Sequence, residues 1–245
     1  MSDHKARTSK SITRDPLYYI TAAFLALLTT ALPALLGQPR FLPIIQTLSL
    51  ITFVTVALHN RNQRGAIRLM AMWLLIQFSV MVLLTRFVTG QLELAIADGF
   101  AYRAAITTWF FGGAPHPSGL ASQPLAYLIE FAGIVVGSLV TAGLVGAWFL
   151  VRLVNQAAYG TGILLATLAN PAQSFLVIPY WTLLRAAGYG GLIVLCAMPL
   201  LTSQWSPSYY WQHHRKLIIV SLALVALGII VELFLPGIVV RPPLS

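Results

Sequence analysis

Arg185 lies inside PYWTLLRAAGYGG (Pro179–Gly191), one of the longest apolar runs of the chain, and Glu232 lies inside the last such run. Ionisable side chains in apolar runs are candidates for handling substrate, ions or protons. A charge at the centre of a bilayer costs roughly 2.5–3.5 kcal/mol on insertion scales and persists only with a partner. Two placements are open to Arg185. If a helix spans about Phe175–Leu201, the guanidinium is near mid-membrane and Glu130 or Glu232 serves as its counter-ion. If the helix spans about Ala186–Trp205, Arg185 marks the cytoplasmic boundary. Pro179, Tyr180 and Trp181 then form an interfacial belt and nothing is buried. The second placement needs no special pairing and is the preferred expectation. Asn170 joins Arg185, Glu232 and Glu130 as a candidate ligand residue. Asn170–Pro171 breaks any helix there, and broken helices at membrane depth line cavities.

Other chemistry is thinly represented. The chain has six acidic residues, and Asp3 and Asp15 belong to its N-terminal region. That leaves Glu93, Asp98, Glu130 and Glu232, with no closely spaced carboxylate pair. His213 and His214 are adjacent, and His59 and His116 are isolated. Any of them could ligate a haem or chlorophyll, but loop histidines are more often solvated, so no cofactor is named. No metal set stands out, and the one cysteine, Cys196, forms neither an intrachain disulfide nor a metal site alone. There is no Gly-rich phosphate loop, HExxH or G-x-S-x-G motif. Nothing in this inventory advertises catalysis.

Composition sets the solvent in which these residues must work. Hydrophobic residues make up 58% of the 245, charged residues 9%, and mean hydropathy is +0.81. Soluble domains carry about 25% charge. A chain this poor in charge cannot cover a water-facing surface, so the expected class is an all-α integral membrane protein, a polytopic helical bundle whose first partner is the lipid bilayer. Long continuous apolar runs exclude the alternation of a β-barrel. The net charge of +9 belongs to loops that fix orientation, with no basic-aromatic pattern to suggest nucleic acid.

Spans are expected at about 17–36, 41–58, 69–88, 125–153, a segment within 155–205, and 217–240. That makes six, with seven as the alternative if 155–175 crosses separately. The expected organisation is a basic cytoplasmic tail (1–16), one transmembrane domain (17–240) and a short C-terminal tail (241–245). Asp15 caps and Pro16 opens the first span, read as an uncleaved anchor rather than a signal peptide. Four basic residues in the tail and Arg61, Arg64 and Arg68 in the next polar loop, against Arg40 between them, place the N-terminus in the cytoplasm. Residues 89–124 form the long outer loop, in which Glu93, Asp98 and Arg103 recur every five residues and so spread around a helical wheel. Residues 155–178 read as a broken or re-entrant segment. Gly133 and Gly137 form a GxxxG pair that Ser138, Ala142 and Gly146 extend, a face on which helices pack closely.

The leading functional expectation is a non-catalytic polytopic subunit packed among other membrane subunits, in a bacterial-type cytoplasmic membrane. The alternatives are a small-solute permease or transporter component, and an intramembrane enzyme. For the enzyme, Glu130, Glu232 and a histidine would have to converge on one cavity.

Overall fold

In a computed structural model, residues 12–168, 171–203 and 205–239 are described. The outer parts of both tails and Asn170 lie outside them. The described chain is helical with no strand, and six helices are long and apolar enough to cross a membrane. They are α1 (Pro16–Leu35), α2 (Phe41–His59), α3 (Gln63–Phe87), α8 (Leu144–Thr167), α9 (Tyr180–Thr202) and α10 (Pro207–Val239). Between α3 and α8 lie α4 (Thr89–Ala95), α5 (Gly99–Gly112), α6 (Pro124–Ala132), a π-helical turn (Gly133–Gly137) and the single turn α7 (Ser138–Val140).

Local chemistry explains the helix starts. The Asp15 carboxylate accepts from the Leu17 amide at 2.9 Å, and Pro16 occupies the first turn. Asn62 accepts from the Gly65 amide at 2.9 Å and opens α3, while its amide donates to the Thr13 carbonyl at 3.1 Å. α3 therefore begins six residues before the span expected from Leu69.

α8 and α9 are the central helices: 67% of the apolar window of each is buried inside the protein, against 22% for α10. α8 runs parallel to α3, with Asn155 beside Gln77 and Gly162 against Thr85. α9 runs antiparallel to α10, and glycine sets their spacing. A Cβ on Gly188 would lie 2.6 Å from the Ser221 carbonyl, and one on Gly228 would lie 2.8 Å from that of Trp181. The glycines of AAGYGG thus let two backbones approach as side chains would not.

Three boundaries differ from expectation. The span expected at 125–153 is two antiparallel arms. The chain turns at Thr141–Gly143, where Ala142 has φ 51° and Gly143 φ 93°. The Thr141 hydroxyl donates to the Gly137 carbonyl (2.6 Å) and accepts from the Val145 amide (3.0 Å), capping α8. A Cβ on Gly133 would strike the Phe149 ring, one on Gly137 Val145, and one on Gly146 the Ser138 hydroxyl. The small-residue face is therefore spent inside the chain, between the arms of its own hairpin, and Ala142 sits in the turn. Second, residues 155–167 of the segment expected to be broken are one continuous helix, which ends before Asn170–Pro171, where the break is expected, and a 3-10 turn follows over Pro171–Val177. Third, α10 begins at Pro207, ten residues before the expected span, and its polar start continues the same helix.

Candidate functional site

α9, α10 and α6 meet at Arg185. The expectation that nothing is buried there is overturned: Arg185 is 2% exposed and lies a turn and a half inside α9. The close packing of α9 on α10 brings Glu232, also buried, to it. Arg185 Nη1 donates to Glu232 Oε2 at 2.9 Å. From α6, Glu130 Oε1 lies 3.5 Å from Arg185 Nε, an ionic contact in which neither atom is hydrogen-bonded. Tyr127, one turn before Glu130, donates its hydroxyl to Glu232, and its ring lies 4.2 Å from the guanidinium carbon. Two carboxylates and an aromatic face thus surround one cation, the arrangement a buried charge needs. Glu130 Oε1, Glu232 Oε1 and Arg185 Nε retain unused hydrogen-bonding capacity.

The connection between α3 and α6 closes over this cluster. His116 is held edge-on between Trp109 (4.7 Å) and Trp181 (5.5 Å), with Ser118 Oγ 3.4 Å from Nδ1. Burial, and then the Arg185 charge, push the His116 pKa down to about 4, so the ring is neutral at physiological pH. α4 and α5 are separate helices because Asp98 takes a left-handed conformation (φ 57°). That break brings together two residues that a single helix would have spread apart: Arg103 pairs with the buried Glu93 at 3.4 Å.

Beneath the loop lies a cavity of about 530 Å³ between α2, α5, α6, α8 and α9. Asp98, Tyr102, Ser118, Tyr127, Glu130, Arg152, Asn155, Gln156 and Arg185 supply its polar lining. Burial pushes the Tyr102 hydroxyl up to about 12, which keeps it a donor. Arg152 stacks on Trp148 at 4.6 Å and has no carboxylate within 4 Å among the described residues. The lining carries two carboxylates, Asp98 and Glu130, and two guanidinium groups, Arg152 and Arg185, the last of them also paired with Glu232.

The inner wall is braced by amides. The Asn155 amide donates to Gln46 (2.7 Å), while Gln77 donates to Asn155 (2.8 Å) and to the Val151 carbonyl (3.0 Å). Gln46 also donates to Thr30 at 2.9 Å. This network joins α1, α2, α3 and α8, and Gln46 and Gln77 are fully buried.

Of the residues singled out from sequence, Arg185, Glu232 and Glu130 converge. Gly133, Gly137, Ser138 and Gly146 pack the hairpin, and Asn170 lies outside the described residues. Tyr127, Arg152 and the Gln46–Asn155–Gln77 network were missed. Tyr127 shares a helical face with Glu130 at i, i+3, and Arg152 is an arginine in an apolar run just as Arg185 is. Among the described residues no group of three metal-ligating side chains exists. The sequence matches no protein-family model, and no curated protein or solved structure is significantly similar to it.

Proposed function

We propose that this chain is a small-solute permease or transporter component of a bacterial-type cytoplasmic membrane, and that the cavity over Arg185 holds a small polar solute of zero net charge, neutral or zwitterionic. The carrying observation is the lining: two guanidinium groups and two carboxylates around a volume of about 530 Å³. That volume is in the range of ligand pockets, roughly 300–1,000 Å³. A solute of zero net charge suits a lining in which guanidinium groups and carboxylates are equal in number. A zwitterion can address Arg152 with one end and Asp98 or Glu130 with the other.

In this reading the N-terminus is cytoplasmic and the arm Pro124–Val140 is a seventh pass. α8 is parallel to α3, so the chain must return to the inner side before α8 begins, and α6 to α7 is the segment available. At 1.5 Å per residue it is about 25 Å long, close to a hydrocarbon core of about 30 Å. The C-terminus then lies outside. The cavity opens from the outer half of the bundle, beside the α1–α2 turn and the outer loop.

The non-catalytic subunit reading loses one of its supports, because the Gly133–Gly146 face is occupied within the chain. The convergence of Glu130, Glu232 and His116 around Arg185 favours, as a second reading, an intramembrane enzyme. Uptake into proteoliposomes separates these readings. A labelled amino-acid mixture (zwitterions) and a labelled polyol (neutral) should enter above protein-free vesicles, saturably. Arg152→Gln should cut that uptake about tenfold, the scale of one lost charge-assisted contact, with an unchanged melting midpoint. No uptake of either class, or a variant as fast as wild type, sinks the assignment. Stoichiometric co-purification with other membrane proteins, with no uptake, would restore the subunit reading.

A further inference from the structure

The opposite end of the bundle carries a second, unrelated cavity. A cleft of about 430 Å³ lies between the first turns of α3 and the polar start of α10. Gln63, Arg64, His213, His214, Arg215 and Lys216 line it. No acidic residue among the described ones does, and none of the three full cations has a carboxylate within 4 Å among them. Both histidines are held in place. His213 donates from Nδ1 to the Tyr209 carbonyl (2.9 Å) and stacks on the Tyr209 ring at 4.2 Å. His214 presents a buried Nε2 with no hydrogen-bond partner. Arg215 is steadied over Trp211 at 5.6 Å.

The position of the cleft narrows its ligand. Gln212 and two branched aliphatic residues, Ile67 and Leu217, complete the lining. The cleft therefore straddles the level at which α3 and α10 pass from polar to apolar. α10 is 33 residues long, about 50 Å at 1.5 Å per residue, and exceeds the hydrocarbon core by its polar first turns. α3 and α10 share no extended packing, which leaves the slot between them open. Orientation by basic residues needs only charge in a loop. It does not need a pocket, fixed imidazoles and an apolar floor below the charges.

We propose that this cleft binds an anionic phosphate group, that of a phospholipid headgroup, with Arg64, Arg215 and Lys216 around the phosphate and the acyl chains along Ile67 and Leu217. Basic pockets between helices on the cytoplasmic side recognise anionic headgroups in this way, and guanidinium groups bind phosphate oxygens in pairs. A zwitterionic headgroup has the same phosphate but brings its own cation into a site with no carboxylate to receive it.

Native mass spectrometry of the full chain in mild detergent, titrated separately with phosphatidylglycerol and phosphatidylcholine, tests this. Phosphatidylglycerol should be retained at roughly tenfold lower concentration than phosphatidylcholine. The triple variant Arg64→Gln, Arg215→Gln, Lys216→Gln should lose that preference. Arg64→Lys with Arg215→Lys, which keeps the charge, should retain most of it, and Arg61→Gln at the same end should leave it unchanged. Inorganic phosphate is the second arm. If it raises the melting midpoint of wild type but not of the triple variant, and the lipids bind equally, the phosphate site stands and its ligand is soluble. Equal binding of both lipids with no effect of phosphate overturns the proposal, as does a triple variant that still prefers phosphatidylglycerol.

Discussion

Glu232→Gln is the sharpest perturbation of the Arg185 cluster, because the two carboxylates around that arginine are not equivalent. Glu232 is 5% exposed, donates nothing, and accepts from both Arg185 and Tyr127. Removing one partner of a buried ion pair costs about 3–5 kcal/mol, since the other charge is left buried and uncompensated. Glutamine keeps the shape and one accepting oxygen, and Glu130 stays beside the guanidinium, so the expected loss is nearer 2–3 kcal/mol. Glu130 has an 18% exposed side chain, 3.5 Å away with no aligned hydrogen bond. Glu130→Gln should therefore cost only about 1 kcal/mol. The assay is reversible unfolding in mixed micelles, followed by tryptophan fluorescence, with Arg185→Met, Glu232→Leu and the Arg185→Met/Glu232→Leu pair closing a double-mutant cycle. The cycle should return about 2 kcal/mol or more of coupling, and the double variant should be more stable than Arg185→Met alone. If Glu232→Gln lies within about 0.5 kcal/mol of wild type, or if the two glutamine variants are equal, the buried pair does not hold α9 to α10 as described.

Three further outcomes follow from the packing and the outer loop. Gly228→Val should lower stability by about 1–3 kcal/mol, because a Cβ there meets backbone at Trp181 and Arg185, whereas Gly90→Ala, with nothing within 4 Å, should be neutral; melting midpoints in detergent compare them. Asn155→Leu should cost about 1–2 kcal/mol by leaving buried Gln46 and Gln77 short of a partner, and adding Gln46→Leu and Gln77→Leu should recover part of it. The neutral, buried His116 stabilises the fold above the ordinary histidine range. The unfolded chain binds its proton first as pH falls, so stability should drop from about pH 6.5 towards 4, and His116→Phe should flatten that slope in a pH series of melts.

The helical class and most of the helices long and apolar enough to cross a membrane were legible because they depend on the local density of apolar residues. So were the individual actors Arg185, Glu232 and Glu130, since a charge in an apolar run is visible in one dimension. Their convergence was not. It rests on Gly188 and Gly228, which let α9 and α10 approach, and on the turn at Thr141–Gly143, which sends α6 back beside α8. The sequence of that turn, VTAGLV, is apolar enough to pass as the middle of one long span. Its signals, a threonine cap and a glycine in the left-handed region, are common inside membrane helices as well. Placing Arg185 at the boundary followed the same one-dimensional logic: burial looked costly because its two counter-ions lie 55 and 47 residues away along the chain, as 185 − 130 and 232 − 185. The break at Asp98, which lets Glu93 and Arg103 meet, was hidden for the related reason that a wheel assumes one continuous helix.

The cluster also explains how α6 is held. Tyr127 is the one buried residue of Pro124–Ala132, and the arm packs mainly on the π-helical turn that follows it. Its links to α9 and α10 run through Tyr127 and Glu130 to Arg185 and Glu232, and through the Phe131 ring beside Tyr189 (6.5 Å). Because α6 forms one wall of the cavity, the strength of those links sets how readily the wall moves. A π-turn at Gly133–Gly137 is a natural place for such movement, since its backbone bonds are already displaced from the α-helical register. Glu130→Gln should loosen this wall without unfolding the bundle. Hydrogen exchange in residues 124–132 should quicken about fivefold, the equivalent of the ~1 kcal/mol contact it removes, while amides of α9 and α10 that exchange by local opening stay at wild-type rates. Unchanged exchange in α6 would mean that hairpin packing through Gly133 and Phe149, rather than the ionic contact, fixes the wall. Quickening spread evenly over α9 and α10 would mean that Glu130 stabilises the whole bundle and has no particular hold on the cavity.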